Sequence, residues 1–225
     1  MLYYREKIVG QMQEWVGAVQ GDDTHKLIVD TYNSHKPLAR GYKLKYSDAW
    51  CAGTVSAASI ACGYADIFPL EVSCTKMIEK AKAMGIWEER DDFAPLPGDL
   101  IIYDWEDNGL GDCIGQPNHV GCVERVEGGI ITVIEGNKGN THTCARRTLK
   151  INARYIRGYV CPKYDSNFVK KQTVYIVQPG DNLSRIAARY GMTVDEIVEL
   201  NKKKHPSLLV NKNVIFPKWE LIIKE

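Results

Sequence analysis

The feature that most constrains this chain is a break in its patterning. Residues 164–172 are polar and carry no hydrophobic period, yet patterned sequence stands on both sides of them. Apolar stripes separated by such a connector are buried in separate cores, so the chain divides into residues 1–163, a linker at 164–172, a short second unit at 173–218 and a tail at 219–225. With 225 residues there is room for one mid-sized domain and one small one.

The first unit reads as helices followed by strands. Ile8, Val9, Met12, Trp15, Val16 and Val19 recur at helical spacing and stop at Gly21. A second helix begins near Asp23 and Thr24 and ends near Asn33. Small residues between Cys51 and Cys62 predict a closely packed helix stopped by Gly63. Another helix follows Ser73, with Cys74, Met77, Ile78 and Ala81 on its apolar side. Beyond the turn Leu96-Pro97-Gly98-Asp99, strand patterns occupy residues 100–105, 119–127, 130–135, 143–150 and 155–160, with Gly128-Gly129 as a hairpin turn. Helices first and an antiparallel sheet afterwards define an α+β domain.

The second unit is brief. Residues 173–177 alternate as a strand, Gln178-Pro179-Gly180-Asp181 turns, and Leu183, Ile186, Ala187 and Tyr190 mark a helix closed by Gly191. Thr193 and Glu196 have capping-box spacing ahead of Val194, Ile197 and Leu200. Residues 214–216 are expected to supply the second strand.

A net charge of +1 gives no electrostatic reason to expect nucleic acid as a partner. Arg5, Glu6, Lys7 and Glu14 interrupt the N-terminal apolar pattern, so neither a Sec signal nor membrane insertion is expected, and synthesis in the cytoplasm is. Seven scattered cysteines lack the even spacing of a disulfide framework and read as reduced. His119 and Cys122 sit three apart in a strand and should face opposite ways, so no metal site and no cofactor are expected.

Chemistry is suggested by position. A thiol at the first turn of a helix faces amide dipoles that favour the thiolate, which places Cys51 as a nucleophile candidate. A thiolate needs an imidazole beside it, and that imidazole needs an acceptor on its other nitrogen. His119 opens a strand; Glu135 and Asn137, two apart in the next one, would share a face if the chain stays extended.

Asp48-Ala49-Trp50-Cys51-Ala52, Leu96-Pro97-Gly98-Asp99, Asn118-His119-Val120-Gly121 and Ile134-Glu135-Gly136-Asn137, in that order, resemble the CHAP family of cysteine, histidine-dependent amidohydrolases/peptidases. The resemblance implies a papain-like fold and cleavage of amide bonds in peptidoglycan, either as an N-acetylmuramoyl-L-alanine amidase or as an endopeptidase of stem or crossbridge. It makes Cys51 the nucleophile, His119 the base, Glu135 the group orienting the imidazole and Asn137 a supporting polar group. Where many members have a glutamine before the cysteine, this chain has Trp50, so the Cys51 amide, with Tyr46 as second donor, is expected to serve the oxyanion. Some members bind calcium upstream of the cysteine; here Lys43 and Lys45 occupy that stretch, and no calcium requirement is expected. Two alternatives stand beside this reading: an NlpC-like endopeptidase, which usually has a second histidine in place of Glu135, and an inactive wall-binding or phage structural protein.

Tyr175-Ile176-Val177-Gln178-Pro179-Gly180-Asp181-Asn182-Leu183-Ser184-Arg185-Ile186-Ala187, with Glu196-Ile197-Val198-Glu199-Leu200-Asn201, resembles a LysM domain. That implies a βααβ fold and a shallow groove for N-acetylglucosamine-containing glycan, formed here by Gly180, Asp181, Asn182 and Leu183 on one side and Ser207, Leu208 and Leu209 on the other. Asn211-Lys212-Asn213 falls where that family usually has a Pro-Gly-Gln turn. Together the two resemblances imply a monomeric, endolysin-like enzyme whose partner is bacterial peptidoglycan, acting at the wall after release through a holin or otherwise.

Overall fold

A computed structural model of the chain describes residues 2–109, 112–165, 173–202 and 204–224, so most of the expected linker lies outside the described residues. The chain separates into two compact units, Met1–Asp165 and Ser166–Glu225.

The first unit opens with α1 (Arg5–Glu14), α2 (Asp23–Ser34), α3 (Cys51–Ala61) and α4 (Cys74–Ala83). Strands β1 (Trp87–Glu88), β2 (Leu100–Tyr103), β3 (His119–Glu127), β4 (Ile130–Lys138), β5 (Thr143–Lys150) and β6 (Ile156–Val160) follow. They form one six-stranded sheet in the order β1-β6-β2-β3-β4-β5. Every pairing is antiparallel.

Helix α3 is apolar and small-residued on all sides, and it is buried from Cys51 through Ser59, as a helix without a polar face must be. The sheet meets it with Ile102, Val120, Cys122 and Ile134, which join Met12, Val55 and Ala58 in the main core. On the opposite face Ile101, Tyr103, Val123, Ile131 and Val133 build a second core with Phe93 and Trp105. Burial on both faces explains why β2 is an unbroken apolar run rather than an alternating one.

The first helix is shorter than its hydrophobic period suggests. It ends at Glu14, and Gly17 takes a φ of 101°, which ends helical winding. The chain then runs along β5, where Gly17 N donates to Cys144 O (2.8 Å), Cys144 N donates to Ala18 O (2.8 Å) and Val19 bridges Thr143.

The second unit comprises β7 (Thr173–Ile176), α5 (Leu183–Tyr190), α6 (Val194–Asn201) and β8 (Glu220–Lys224). The capping box of Thr193 and Glu196 is formed, and Gly191 closes α5 with a left-handed φ of 67°. The expected second strand is displaced. Residues 214–216 are not a strand; Val214 and Phe216 are exposed. Instead the supposed tail pairs with β7, with Tyr175 opposite Leu221 and Ile176 opposite Glu220. Leu221 and Ile223 alternate into the core, fully buried, which gives this strand the burial that residues 214–216 lack. The unit therefore runs past residue 218 to the end of β8, and the boundary at 219–225 is corrected.

The reversal into β8 is made by Phe216-Pro217-Lys218-Trp219, not by Asn211-Lys212-Asn213. Trp219 N donates to Phe216 O (3.1 Å) and Lys218 has a φ of 73°, the position of a type II turn that usually holds glycine. Asn201 fixes the new strand from α6: its Nδ2 donates to Ile222 O and its Oδ1 accepts from Ile222 N, both at 2.8 Å.

Candidate active site

Cys51 is the first residue of α3, and the N-cap, Trp50, contributes no side-chain cap to the free amides of the first turn. The unoccupied helix terminus faces the thiol, and the Ala52 amide is bonded to it. Trp50 itself is fully buried with its ring 4.7 Å from that of His25, edge to face, so it is a packing residue in the position usually held by glutamine.

His119 begins β3 and Glu135 lies near the end of β4; both are buried. His119 Nε2 donates to Glu135 Oε2 (3.3 Å), which leaves Nδ1 for the thiol, and the Cys51 and His119 side chains are within hydrogen-bonding reach. The second Glu135 oxygen accepts from Arg147 Nε at 2.7 Å. Arg147 in turn lies over Trp105, 4.5 Å from the ring centroid. Trp105 stacks on Tyr103 at 4.5 Å, and Tyr103 stacks on His119 at 5.9 Å. The imidazole is held by a carboxylate on one edge and an aromatic stack on one face.

Two glycines make room for this arrangement. A Cβ on Gly121 would lie 2.5 Å from Val133 Cγ1 and 2.7 Å from Glu135 Cγ, so a side chain there would evict the carboxylate. A Cβ on Gly136 would lie 2.7 Å from Thr54 Cβ, so glycine is what lets α3 rest directly on β4 with Cys51 at its tip.

The electrostatics favour an ion pair. The hydrogen bond from Cys74 holds the Cys51 thiol well below its ordinary range, with the His119 bond and charge adding to this against the effect of burial. Burial works against protonation of His119, but the hydrogen bonds and charges of Cys51 and Glu135 outweigh it and raise the imidazole to about 9. Burial likewise opposes ionisation of Glu135, and the bonds from His119 and Arg147 overcome it, keeping the group anionic. Thiolate and imidazolium titrate together as one pair.

Not every expected site residue joins the cluster. Asn137 does not share a face with Glu135: the β4–β5 register shifts between Glu135 and Lys138, Asn137 adopts a left-handed φ of 53°, and His142 Nδ1 donates to its Oδ1 at 2.8 Å. Tyr46 is also committed elsewhere. This half-exposed tyrosine donates its hydroxyl hydrogen to Asp30 Oδ1 (2.9 Å) on α2.

Three residues at the site escaped sequence reasoning. Arg147 was indistinguishable from Arg146 by pattern; the register shows it, since Ala145 faces Glu135 and Arg147 is its diagonal neighbour. Trp105 closes the strand expected at residues 100–105 but lies beyond β2, which stops at Tyr103, and a strand pattern does not show its ring reaching the site. Cys74 reads as core, and it is buried, but its thiol also meets that of Cys51.

In the second unit, Asp181 Oδ2 accepts from Tyr175 Oη and Gln178 N, both at 2.7 Å, and Asn182 caps α5 by accepting from Arg185 N. Leu183 and Leu208 point into one shared core, so only their backbones are available to a glycan. Gly180, Ser207 and Leu209 are exposed.

A helix-borne thiol beside a sheet-borne imidazole and carboxylate, in an α+β domain accompanied by a βααβ unit, narrows the class. The family comparisons agree: residues 41–137 match the CHAP domain and residues 175–224 the LysM domain, so the chain carries a CHAP domain followed by a LysM domain. No curated protein matches the chain. Among solved structures, "The crystal structure of Ly7917" is similar at 14% identity and a TM-score of 0.41, over 71% of this chain and 62% of that one. "The crystal structure of Ly7917 with the hydrolyzing product of MDP" is similar at 15% and 0.39, over 71% and 63%. The chain spans under two thirds of the length of these structures.

Proposed function

We propose that this chain is a peptidoglycan hydrolase that cleaves an amide bond with Cys51 as nucleophile and is held at the wall by its LysM domain. The observation that carries the reading is the meeting of Cys51, His119 and Glu135 at one point from three elements. The Cys51 thiolate attacks the amide carbonyl, the first-turn amides of α3 stabilise the oxyanion, and the His119 imidazolium protonates the departing amine. Water, deprotonated by the now neutral His119, then releases the acyl group from sulfur. Glu135 keeps the imidazole oriented and charged through both steps.

An acidic Glu135 paired with Arg147 supports the CHAP-type assignment over the NlpC-like one. The LysM match supports N-acetylglucosamine-containing glycan as the anchoring partner. One experiment separates the enzyme from an inactive wall-binding protein. Cys51→Ala should co-sediment with purified walls as wild type does while releasing no new amino groups from them. Undiminished release would remove Cys51 from the mechanism.

A further inference from the structure

The hydrolytic mechanism uses Cys51, His119 and Glu135, yet the contacts of Glu135 continue beyond these three and close into a ring. Glu135 Oε2 accepts from His119 Nε2 at 3.3 Å, and Oε1 accepts from Arg147 Nε at 2.7 Å. The Arg147 guanidinium lies over Trp105 (4.5 Å), Trp105 stacks on Tyr103 (4.5 Å, 17° between planes), and Tyr103 stacks on His119 (5.9 Å). Glu135 and Tyr103 are fully buried and His119 nearly so, whereas the Arg147 side chain keeps 30% of its surface in solvent. Arg146, which strand alternation sends to the other face of β5, is engaged by Glu124 at 2.8 and 2.7 Å. The two neighbouring arginines are therefore not interchangeable.

We propose that Arg147 is a positioning residue for the reaction: it fixes the Glu135 carboxylate, and through it the His119 ring, and it is the counter-charge that lets this carboxylate stay buried. This rests on the reading of the chain as a Cys51 hydrolase. The positioning half is geometric. A carboxylate held at one oxygen turns freely about its last side-chain bond and offers either oxygen to the imidazole; held at both, it does not. Arg147 is itself held from two sides. Its backbone sits in β5 opposite Val133, one diagonal from Glu135, and its guanidinium face rests on Trp105. Orientation of the imidazole is thus imposed from a paired strand and a stacked ring.

The other half is charge. A thiolate and an imidazolium cancel, but Glu135 adds a negative charge at a place with no exposed surface. A buried charge without a partner is costly and is commonly removed by uptake of a proton. Around the carboxylate stand His119 on β3, Tyr103 on β2, Cys144 and Arg147 on β5 and, across the imidazole, Cys51 on α3. Burial pushes Cys144 up to about 12 and Tyr103 well above its ordinary range, so both are neutral and Arg147 is the fixed cation of the group. With Arg147 the cluster is balanced; without it, one negative charge is left over.

The test compares the full-length wild type with Arg147→Met, which keeps an apolar stem against Trp105 and loses the charge, and with Arg147→Lys, which keeps the charge and loses the planar fork. Two pH profiles are read: kcat and KM on a soluble muropeptide, and alkylation of Cys51 by iodoacetamide without substrate. Loss of a nearby cation disfavours the thiolate and the carboxylate, so each takes up its proton at higher pH. In Arg147→Met the acidic limb of both profiles should therefore move up by about 1 pH unit, with plateau kcat down roughly tenfold and KM within about twofold. Arg147→Lys should recover most of both. An acidic limb that stays in place in Arg147→Met overturns the proposal, because a merely structural arginine lowers the plateau without moving the limb. Arg147→Lys behaving no better than Arg147→Met overturns it as well. If wild type hydrolyses no muropeptide, the hydrolase reading fails while the alkylation profiles still decide the role of Arg147. If Arg147→Met does not fold, Arg147→Gln is read in its place by the same criteria.

Discussion

Replacing Glu135 by glutamine removes one charge while keeping an oxygen that can accept from Arg147, and it tests the heart of the electrostatic argument. His119 stands at about 9 although burial pulls it down from its ordinary 6.5. That elevation is worth about 3 kcal/mol of preference for the imidazolium, since one pH unit corresponds to about 1.4 kcal/mol. Two anions supply it: the Cys51 thiolate and a carboxylate whose oxygen lies 3.3 Å from Nε2. With the carboxylate neutralised, only the thiolate remains against the burial penalty, and the imidazole should lose its proton about 1 to 2 pH units lower. Because His119 is protonated below its pKa and must donate to the leaving amine, activity falls as pH rises through that value. The alkaline limb of kcat/KM on a soluble muropeptide should therefore lie near pH 9 in wild type and near about pH 7 to 8 in Glu135→Gln. The pH dependence of Cys51 alkylation by iodoacetamide gives the same pair titration without turnover. A limb that stays in place would show that the carboxylate does not hold the imidazolium proton, and the assigned role of Glu135 would fail.

Two further outcomes follow from the packing. Gly136→Ala forces a methyl against the Cβ of Thr54, which no rotamer change can move, so α3 must lift from β4; a loss of about 1–3 kcal/mol in a thermal melt and about 100-fold in kcat/KM is expected. Unchanged turnover would mean that the seating of α3 does not set the Cys51 position. Ending the chain after Lys218 removes Leu221 and Ile223, each worth about 1.5–3 kcal/mol of burial in a domain of marginal size, so the LysM unit should unfold and wall co-sedimentation should be lost, as read by proteolysis and pelleting.

Much of the architecture was legible because local rules and tertiary packing agree. The hairpin of β3 and β4 around Gly128-Gly129, the serine cap of α4 and the capping box of α6 all form where side-chain chemistry places them. Cys51 and His119 could be named because helix starts and strand starts are marked locally, and Glu135 because it stands in the facing hairpin strand within the CHAP-like motif. The misreadings concern matters that only neighbours decide. Asn137 leaves the extended path at a register shift that has no sequence mark, and Arg147 belongs to the site through a diagonal across two strands. The strand after Trp219 was hidden by its position behind Pro217-Lys218, where a left-handed lysine does what a glycine would have announced.

The pairing of β7 with β8 also sets the order of events at the ribosome. Thr173 finds its partner only at Lys224, so β7, α5 and α6 emerge before the strand that closes their core has been translated. Until then Asn201 has no Ile222 backbone to grip, and the nascent segment must wait with an open strand edge. Closure of the second core thus follows the emergence of the whole first unit.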